Sequence, residues 1–341
     1  MLIAQTAGFA WGGGSAPMAG NNWTARTGSG ARKWWRIASS AVGQRLVACT
    51  NDPDYLTGYV YTSADSGTTW TEQTAQGDRP WLGVAISADG MRMAACTQQS
   101  EPGNGNSDGA GKIITSADGG ATWVERTSAG QRTWKSVAMS ADGQKLVAAN
   151  AEYSASYLYT STDGGATWVA RTSAGSRYWY GVAMSADGQT ILATGQTTLY
   201  SSTDGGATWT TRSGAGSRGW ADHLAVSADG QTMVAAEGDS STGKGYIYTS
   251  TDGGATWVER TSVGLRSWQS VVMSADGQRI AATGTGNYLT NGPIVLSQNG
   301  GATWTTATGA GSSAWTGIAG SPDLSVITAA VHGGYIYTST S

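Results

Sequence analysis

The sequence predicts an all-β fold: a seven-bladed β-propeller of four-stranded blades, with the last blade closed by strands from both termini. Three observations carry this. Trp23, Trp70, Trp123, Trp168, Trp209, Trp257 and Trp304 recur at intervals of 47, 53, 45, 41, 48 and 47 residues, a period of the propeller or solenoid kind. Each is followed 11 residues later by a second tryptophan, Trp34, Trp81, Trp134, Trp179, Trp220, Trp268 and Trp315. Six or seven residues further on stands a turn signal: Ser-Ala-Asp-Gly from Ser87, Ser140, Ser185, Ser227 and Ser274, with variants from Ser40 and Ser321.

The third unit shows the elements in order. Trp134–Ser140 reads as strand A, and Ala-Asp-Gly-Gln as a tight turn whose Asp and Gly accept unusual backbone angles. Lys145–Asn150 is strand B; after a variable loop, Tyr157–Ser161 is strand C. Thr-Asp-Gly-Gly-Ala turns again, and Thr167–Thr172 is strand D. The strands are apolar or small on both faces, as in a sheet covered on both sides. In a propeller the neighbouring blades supply that cover. A helical reading fails on the abundance of Gly, Thr and Val and on the lack of a 3.6-residue period.

The C–D turn repeats almost letter for letter. Ser161–Trp168 is Ser-Thr-Asp-Gly-Gly-Ala-Thr-Trp and returns at Ser250–Trp257, with near copies at Ser63–Trp70, Ser116–Trp123, Ser202–Trp209 and Ser297–Trp304. The pattern Ser-x-Asp-x-Gly-x-Thr-Trp resembles the Asp-box, or bacterial neuraminidase repeat, and from about residue 20 the chain looks like the sialidase-type Asp-box propellers. The resemblance implies that the box is the hairpin turn between third and fourth strands. Asp65, Asp118, Asp163, Asp204 and Asp252, with Asn299 in the sixth copy, are then turn-formers whose side chains accept backbone amides. A seventh box is split. Tyr335–Ser341 supplies strand C and the start of a box, and Gly20–Thr27 supplies its end and strand D. Both termini therefore enter one blade, which removes the sheet edges.

Topology sorts the loops. A–B turns and C–D boxes share one rim; D–A linkers and the variable B–C loops share the other, where specificity is expected. The second rim also carries Arg-x-Trp: Arg32, Arg79, Arg132, Arg177, Arg218 and Arg266, each two residues before the strand A tryptophan. Two readings of this ring stand. With Trp81, Trp134, Trp179, Trp220 and Trp268, the arginines form a glycan or anion site near the channel mouth. Alternatively the tryptophans wedge between blades while the arginines cover them or bond linker carbonyls. A second series, Arg26, Arg126, Arg171, Arg212 and Arg260, closes strand D and reads as structural.

Catalysis finds little support. The sialidase resemblance implies three arginines on a substrate carboxylate, a Tyr–Glu pair, an acidic Asp and an Arg-Ile-Pro motif, and this chain has no Arg-Ile-Pro. The non-repeat carboxylates Asp52, Asp54, Asp78, Glu101, Asp108, Glu152, Asp222, Glu237 and Asp239 do not assemble into the close pair a retaining glycosidase needs. With His223 and His332 the only histidines, His-based metal or triad chemistry has no basis. Asn104–Gly109 resembles the first half of a calcium loop, but Thr115 stands where the bidentate Glu belongs. Cys49 and Cys96 occupy one repeat position and read as small buried thiols. No cofactor and no metal is expected.

Composition bounds the rest. A net charge of −3 over 341 residues gives no signal for nucleic acid or a membrane surface. No stretch approaches the roughly 18 apolar residues of a membrane helix. The N-terminus lacks the basic region and apolar core of a signal peptide. Residues 1–19 are expected to form an arm outside a ring spanning 20–341. Leu2, Ile3, Phe9 and Trp11 make that arm too apolar for a free tail, so it is expected to pack on its own ring or on another copy. The function expected is non-enzymatic: a recognition or scaffold propeller, on a surface or in a virion assembly, binding proteins or glycans through the B–C rim. A sialidase-like hydrolase and a photosystem-assembly-factor-like propeller are the alternatives.

Overall fold

In the computed structural model, residues 17–52, 54, 57–98, 111–152, 156–238, 244–286 and 289–341 are described. The arm expected at 1–19 lies outside them up to residue 16. Its last residues belong to the ring: Met18 and Ala19 are buried in the core, and the Ala19 amide donates to the Leu324 carbonyl at 2.9 Å.

The strands form seven blades around a channel. Strand A of blades 1 to 7 spans Arg32–Ser39, Trp81–Ile86, Trp134–Met139, Trp179–Met184, Trp220–Val226, Ser267–Met273 and Trp315–Gly320. Each pairs antiparallel with its own strand B; in blade 3 the order is Trp134–Met139, Leu146–Asn150, Leu158–Ser161, Val169–Arg171. Blade 7 takes Val326–Gly334 and Ile336–Thr340 from the C-terminal end and Trp23–Arg26 from the N-terminal end, with Trp23 opposite Ser339 and Arg26 opposite Ile336. Blade 7 is also zipped to blade 1, because Arg32 and Lys33 pair with Gly334 and His332.

The tryptophans are the blade core. In blade 3, Trp134 meets Tyr159 of strand C edge-on at 5.2 Å and Trp168 at 6.4 Å, an arrangement worth about 0.5–1.5 kcal/mol per aromatic pair beyond area burial. Blades 1, 4, 5 and 7 repeat it around Trp34, Trp179, Trp220 and Trp315. In blades 2, 3, 4, 6 and 7 the residue two past the tryptophan is Gly or Ser, because adjacent inner strands approach closely there. A Cβ on Gly317 would stand 3.3 Å from the Arg36 Cα, and one on Gly83 would stand 3.3 Å from the Ser136 Cα. Strand D departs from the expectation that all four strands are covered. It is two to four residues long, and Val124, Val169 and Val258 are about half exposed. The outermost strand has a neighbour on one side only.

Each octapeptide turn is a self-contained hydrogen-bond unit. In blade 3 the Ser161 hydroxyl donates to Asp163 Oδ1 (2.8 Å) and accepts the Gly165 amide (2.9 Å). Asp163 in turn accepts the Thr167 amide (2.9 Å) and hydroxyl (2.6 Å), and the Trp168 indole donates back to the Gly165 carbonyl (2.9 Å). Gly164 and Gly165 take φ of 70° and 90°, open to glycine without strain. The A–B turns link the blades. The Ala41 amide donates to the Ala88 carbonyl, Ala88 to Ala141, Ala141 to Ala186, Ala186 to Ala228, Ala228 to Ala275, and Ala275 to Pro322. Proline has no N–H to continue the series to blade 1.

The Thr hydroxyl and amide hold the Asp118, Asp163 and Asp252 carboxyls at about 2. The folded turn thus binds its proton less readily than the unfolded chain. Each turn contributes stability that is present above about pH 4 and lost as pH falls through the folded value. At the sixth turn Asn299 Oδ1 accepts the Thr303 amide while its Nδ2 donates to the Thr303 hydroxyl, both at 2.9 Å. Asp163→Ala is therefore expected to cost about 1 kcal/mol at pH 7, since the Thr167 groups it serves are exposed. Asp163→Asn should cost less and should flatten part of the stability decline between pH 4 and 2. Urea titrations across that range check both; equal losses for Ala and Asn would show that the side-chain bonds contribute nothing.

Candidate functional site

The predicted Arg/Trp ring lies within the blades. Trp81, Trp134 and Trp179 are 0 % exposed and Trp220 and Trp268 3 %, so no indole face is open to a ligand. The arginines cover the tyrosines of strand C: Arg32 over Tyr61, Arg132 over Tyr159, Arg177 over Tyr200 and Arg218 over Tyr248, at 4.5–4.8 Å. Arg32, Arg132 and Arg218 also donate to the linker carbonyls of Ser29, Ala129 and Ala215. Arg79 and Arg266 stand in blades where Ile114 and Val295 replace the tyrosine, and their amides bond the Gly58 and Gly245 carbonyls. The buried indoles offer no stacking face, and the arginines lie against strand C tyrosines and linker carbonyls. The second series is likewise engaged: Arg126, Arg171 and Arg260 donate to Thr115, Thr160 and Thr249 of strand C.

The residues that face the channel are set by a bulge. In every blade the A–B register slips just after the tryptophan: between Trp34 and Arg36, Trp81 and Gly83, Trp134 and Ser136, Trp268 and Ser270, Trp315 and Gly317, and over longer steps in blades 4 and 5. A bulge leaves its extra residue out of the ladder and re-aims the side chain. Those residues are Trp35, Leu82, Lys135, Gln269 and Thr316, with Tyr180 at the same place in blade 4. Blade 5 carries one residue more. Leu224 pairs with Ala235 as Val137 pairs with Ala148, so counting back puts Asp222 at the position of Lys135. This set does not follow the repeat.

Asp222 makes the contact that crosses the ring. Arg36 of blade 1 donates Nη2 to Asp222 Oδ2 of blade 5 at 3.1 Å, and Nη1 to the Thr316 and Trp35 carbonyls, each at 3.1 Å. Blades 1 and 5 are not neighbours, so the pair spans the channel. The Arg36 guanidinium, 4 % exposed, lies 4.9 Å over the Trp35 ring. Burial works against the Asp222 carboxylate, but neighbouring positive charge, Arg36 included, outweighs it and holds the carboxyl well below the usual range. His223 Nδ1 is 3.3 Å from Asp222 Oδ1, and burial pushes the imidazole down to about 3, so it is neutral at pH 7. Lys135 Nζ donates to Gln98 Oε1 at 2.9 Å.

The other non-repeat carboxylates are engaged on the B–C rim. Lys33 bonds Asp52 (2.8 Å) and Asp54 (3.5 Å), Asp78 accepts the Gly58 amide, and Glu152 and Glu237 stand by Arg132 and Arg218. Glu101, Asp108, Asp239 and the calcium-like stretch 104–109 lie outside the described residues. Cys49 and Cys96 are free and buried, and burial pushes both thiols up to about 12. Among the described residues no cluster of His, Cys, Asp and Glu has the makings of a metal site. Among the described residues no helix is long and apolar enough to cross a membrane.

No protein-family model and no curated protein matches the sequence. Solved structures do match, and they are propellers. The Niastella koreensis GH74 enzyme aligns at a TM-score of 0.70 and 20 % identity, over 94 % of this chain and 53 % of its own. YCF48 bound to D1 peptide aligns at 0.65 and 13 %, over 94 % and 97 %. The β-propeller domain of Myceliophteria thermophila Cps50 (Swd1) aligns at 0.63 and 13 %, over 95 % and 100 %. This chain thus spans about half the GH74 enzyme. At these identities the likeness establishes the fold, and that fold hosts both enzymes and non-enzymatic propellers.

Arg36 is buried and Asp222 partly so, and removing one member of such an ion pair strands the other charge. Asp222→Ala is expected to destabilise by about 3 kcal/mol, and pairing it with Arg36→Met should recover most of that. Chemical denaturation of both variants checks this; a double variant as unstable as the single would mean that Asp222 acts through other contacts.

Proposed function

We propose that this propeller is a non-enzymatic recognition module that holds a protein partner on its B–C rim and channel mouth. The observation that carries the reading is the distribution of departures from the repeat. The box rim is a uniform lattice of Ser, Asp, Gly and Thr bonded to one another. Trp35, Lys135, Tyr178, Tyr180 and Gln269 break the repeat at the opposite mouth, where the Tyr178 and Tyr180 rings meet at a tilt, 5.2 Å apart. Rigid scaffolds carry their specificity on such variable positions. Aromatic residues beside fixed charges are also the composition of protein-binding centres.

The chemistry of Asp222 supports a binding role over hydrolysis. A glycosidase acid must hold a proton near neutral pH while a second carboxylate stands about 5–10 Å away. The Asp222 carboxyl is instead held well below the usual range despite its burial and pairs with Arg36, which suits an anchor. One similar propeller is described as bound to a peptide, so peptide capture is within the repertoire of the fold. A surface or virion assembly remains the proposed setting, with self-association through the N-terminal arm as one form of protein binding.

Site-specific photo-cross-linking in native cell extract tests this. A cross-linker at Tyr180 should trap a discrete protein, whereas one at the exposed Ala166 of the box rim should not. Capture from Ala166 alone would place the interface on the wrong face. Hydrolysis of aryl glycosides lost on Asp222→Asn would establish an enzyme.

A further inference from the structure

Six of the seven channel-mouth positions are neutral or already matched in charge. Trp35, Leu82, Tyr180, Gln269 and Thr316 carry no charge, and Asp222 faces Arg36 at 3.1 Å. Lys135 is different. Its ammonium has three donors, and its hydrogen bond goes to the neutral amide oxygen of Gln98. Leu82 and Tyr180 occupy the same bulge on the blades to either side. Burial pushes its pKa down, and the Asp222 charge opposes this from a distance. Counting Arg36, Lys135 and Asp222, the described channel groups hold two cations and one anion. A half-desolvated cation with no carboxylate among the described residues is unfavourable for the ring by itself, so nothing in the described blade architecture calls for a lysine at this place.

We infer that Lys135 is the anchor for a carboxylate carried by the bound partner, on the side of the mouth where Tyr178 and Tyr180 meet at a tilt. This rests on the rim-recognition reading above and names the chemistry the rim selects. An ammonium and a carboxylate form a charge-assisted hydrogen bond of about 2.7–2.9 Å. Asp222, already bound to Arg36, repels a second carboxylate from its own side of the mouth and so directs it toward blades 3 and 4. An acidic side chain of a peptide and an acidic sugar share this chemistry.

Thermal unfolding of the full chain separates the outcomes. Sodium glucuronate and N-acetylglutamate α-amide are compared with sodium chloride at equal ionic strength, for the natural protein, Lys135→Gln and Lys135→Arg. At least one carboxylate should raise the melting temperature of the natural protein by about 2 °C or more over chloride. Lys135→Arg should keep that shift and Lys135→Gln should lose it. In chloride, Lys135→Gln should melt no lower than the natural protein, because an unmatched charge has been removed. A response to glucuronate alone identifies a sugar acid, and one to the glutamate derivative alone an acidic peptide. No shift with either probe, an equal shift in Lys135→Gln, or a Lys135→Gln variant that is less stable in chloride would each overturn the inference. Cross-linking from Tyr180 that persists in Lys135→Gln alongside any of these results would leave the rim-recognition reading standing without the carboxylate.

Discussion

Everything in this molecule depends on one antiparallel pairing, that of Trp23–Arg26 with Ile336–Thr340. Strands A to C of each blade are apolar on both faces, and only a neighbouring blade can cover them. An open row of blades would leave two such faces in water; a ring leaves none. The pairing is reinforced from both sides. Arg26 donates to the Thr338 hydroxyl at 2.6 Å, and the Gly20 amide donates to the Ser339 hydroxyl at 2.8 Å. The seam between blades 7 and 1 differs from the other six. It lacks the turn-to-turn amide bond that Pro322 cannot donate, and it carries instead the pairing of Lys33 with His332.

Closure also makes the channel. Once seven inner strands converge, the positions two residues past the tryptophan are small in five blades, as at Gly83, Ser136, Ser270 and Gly317. The bulge beside them takes one residue per blade out of the ladder, where the repeat does not fix its identity. Stability and specificity are thereby assigned to different residues of one short strand. The tryptophan, the tyrosine and the octapeptide turn hold the blade. The bulged residue is left to differ from blade to blade, and it differs in all of the ways that matter for recognition: aromatic, aliphatic, cationic, anionic and amide.

Blade number, strand order and the split seventh blade were legible because each is written locally and repeated. The tryptophan spacing and the glycine-bearing turns leave little choice of topology. The channel was much less legible. Trp35 and Lys135 follow a buried tryptophan directly and read as ordinary strand residues until the bulge is seen. Arg36 and Asp222 are 186 residues apart, and no local pattern joins them. A signal was nonetheless present. Arg36 stands in a column filled by Gly or Ser in blades 2, 3, 4, 6 and 7, and blade 5 has an extra residue between its tryptophan and its turn. The Arg-x-Trp motif misled in the opposite way. Its regularity drew attention to a ring of side chains that the fold uses to cover its own tyrosines.

The closure claim can be tested directly by deleting Gly333–Ser341 and following unfolding by tryptophan fluorescence together with dye binding to exposed apolar surface. The deletion removes strand C of blade 7 and half of the zipper to blade 1, so strand D loses its only pairing partner. The account predicts a ring that has lost its single cooperative transition and binds dye under native conditions, with the inner tryptophans partly exposed. A truncated protein that keeps the cooperative transition and melting temperature of the full chain would contradict it.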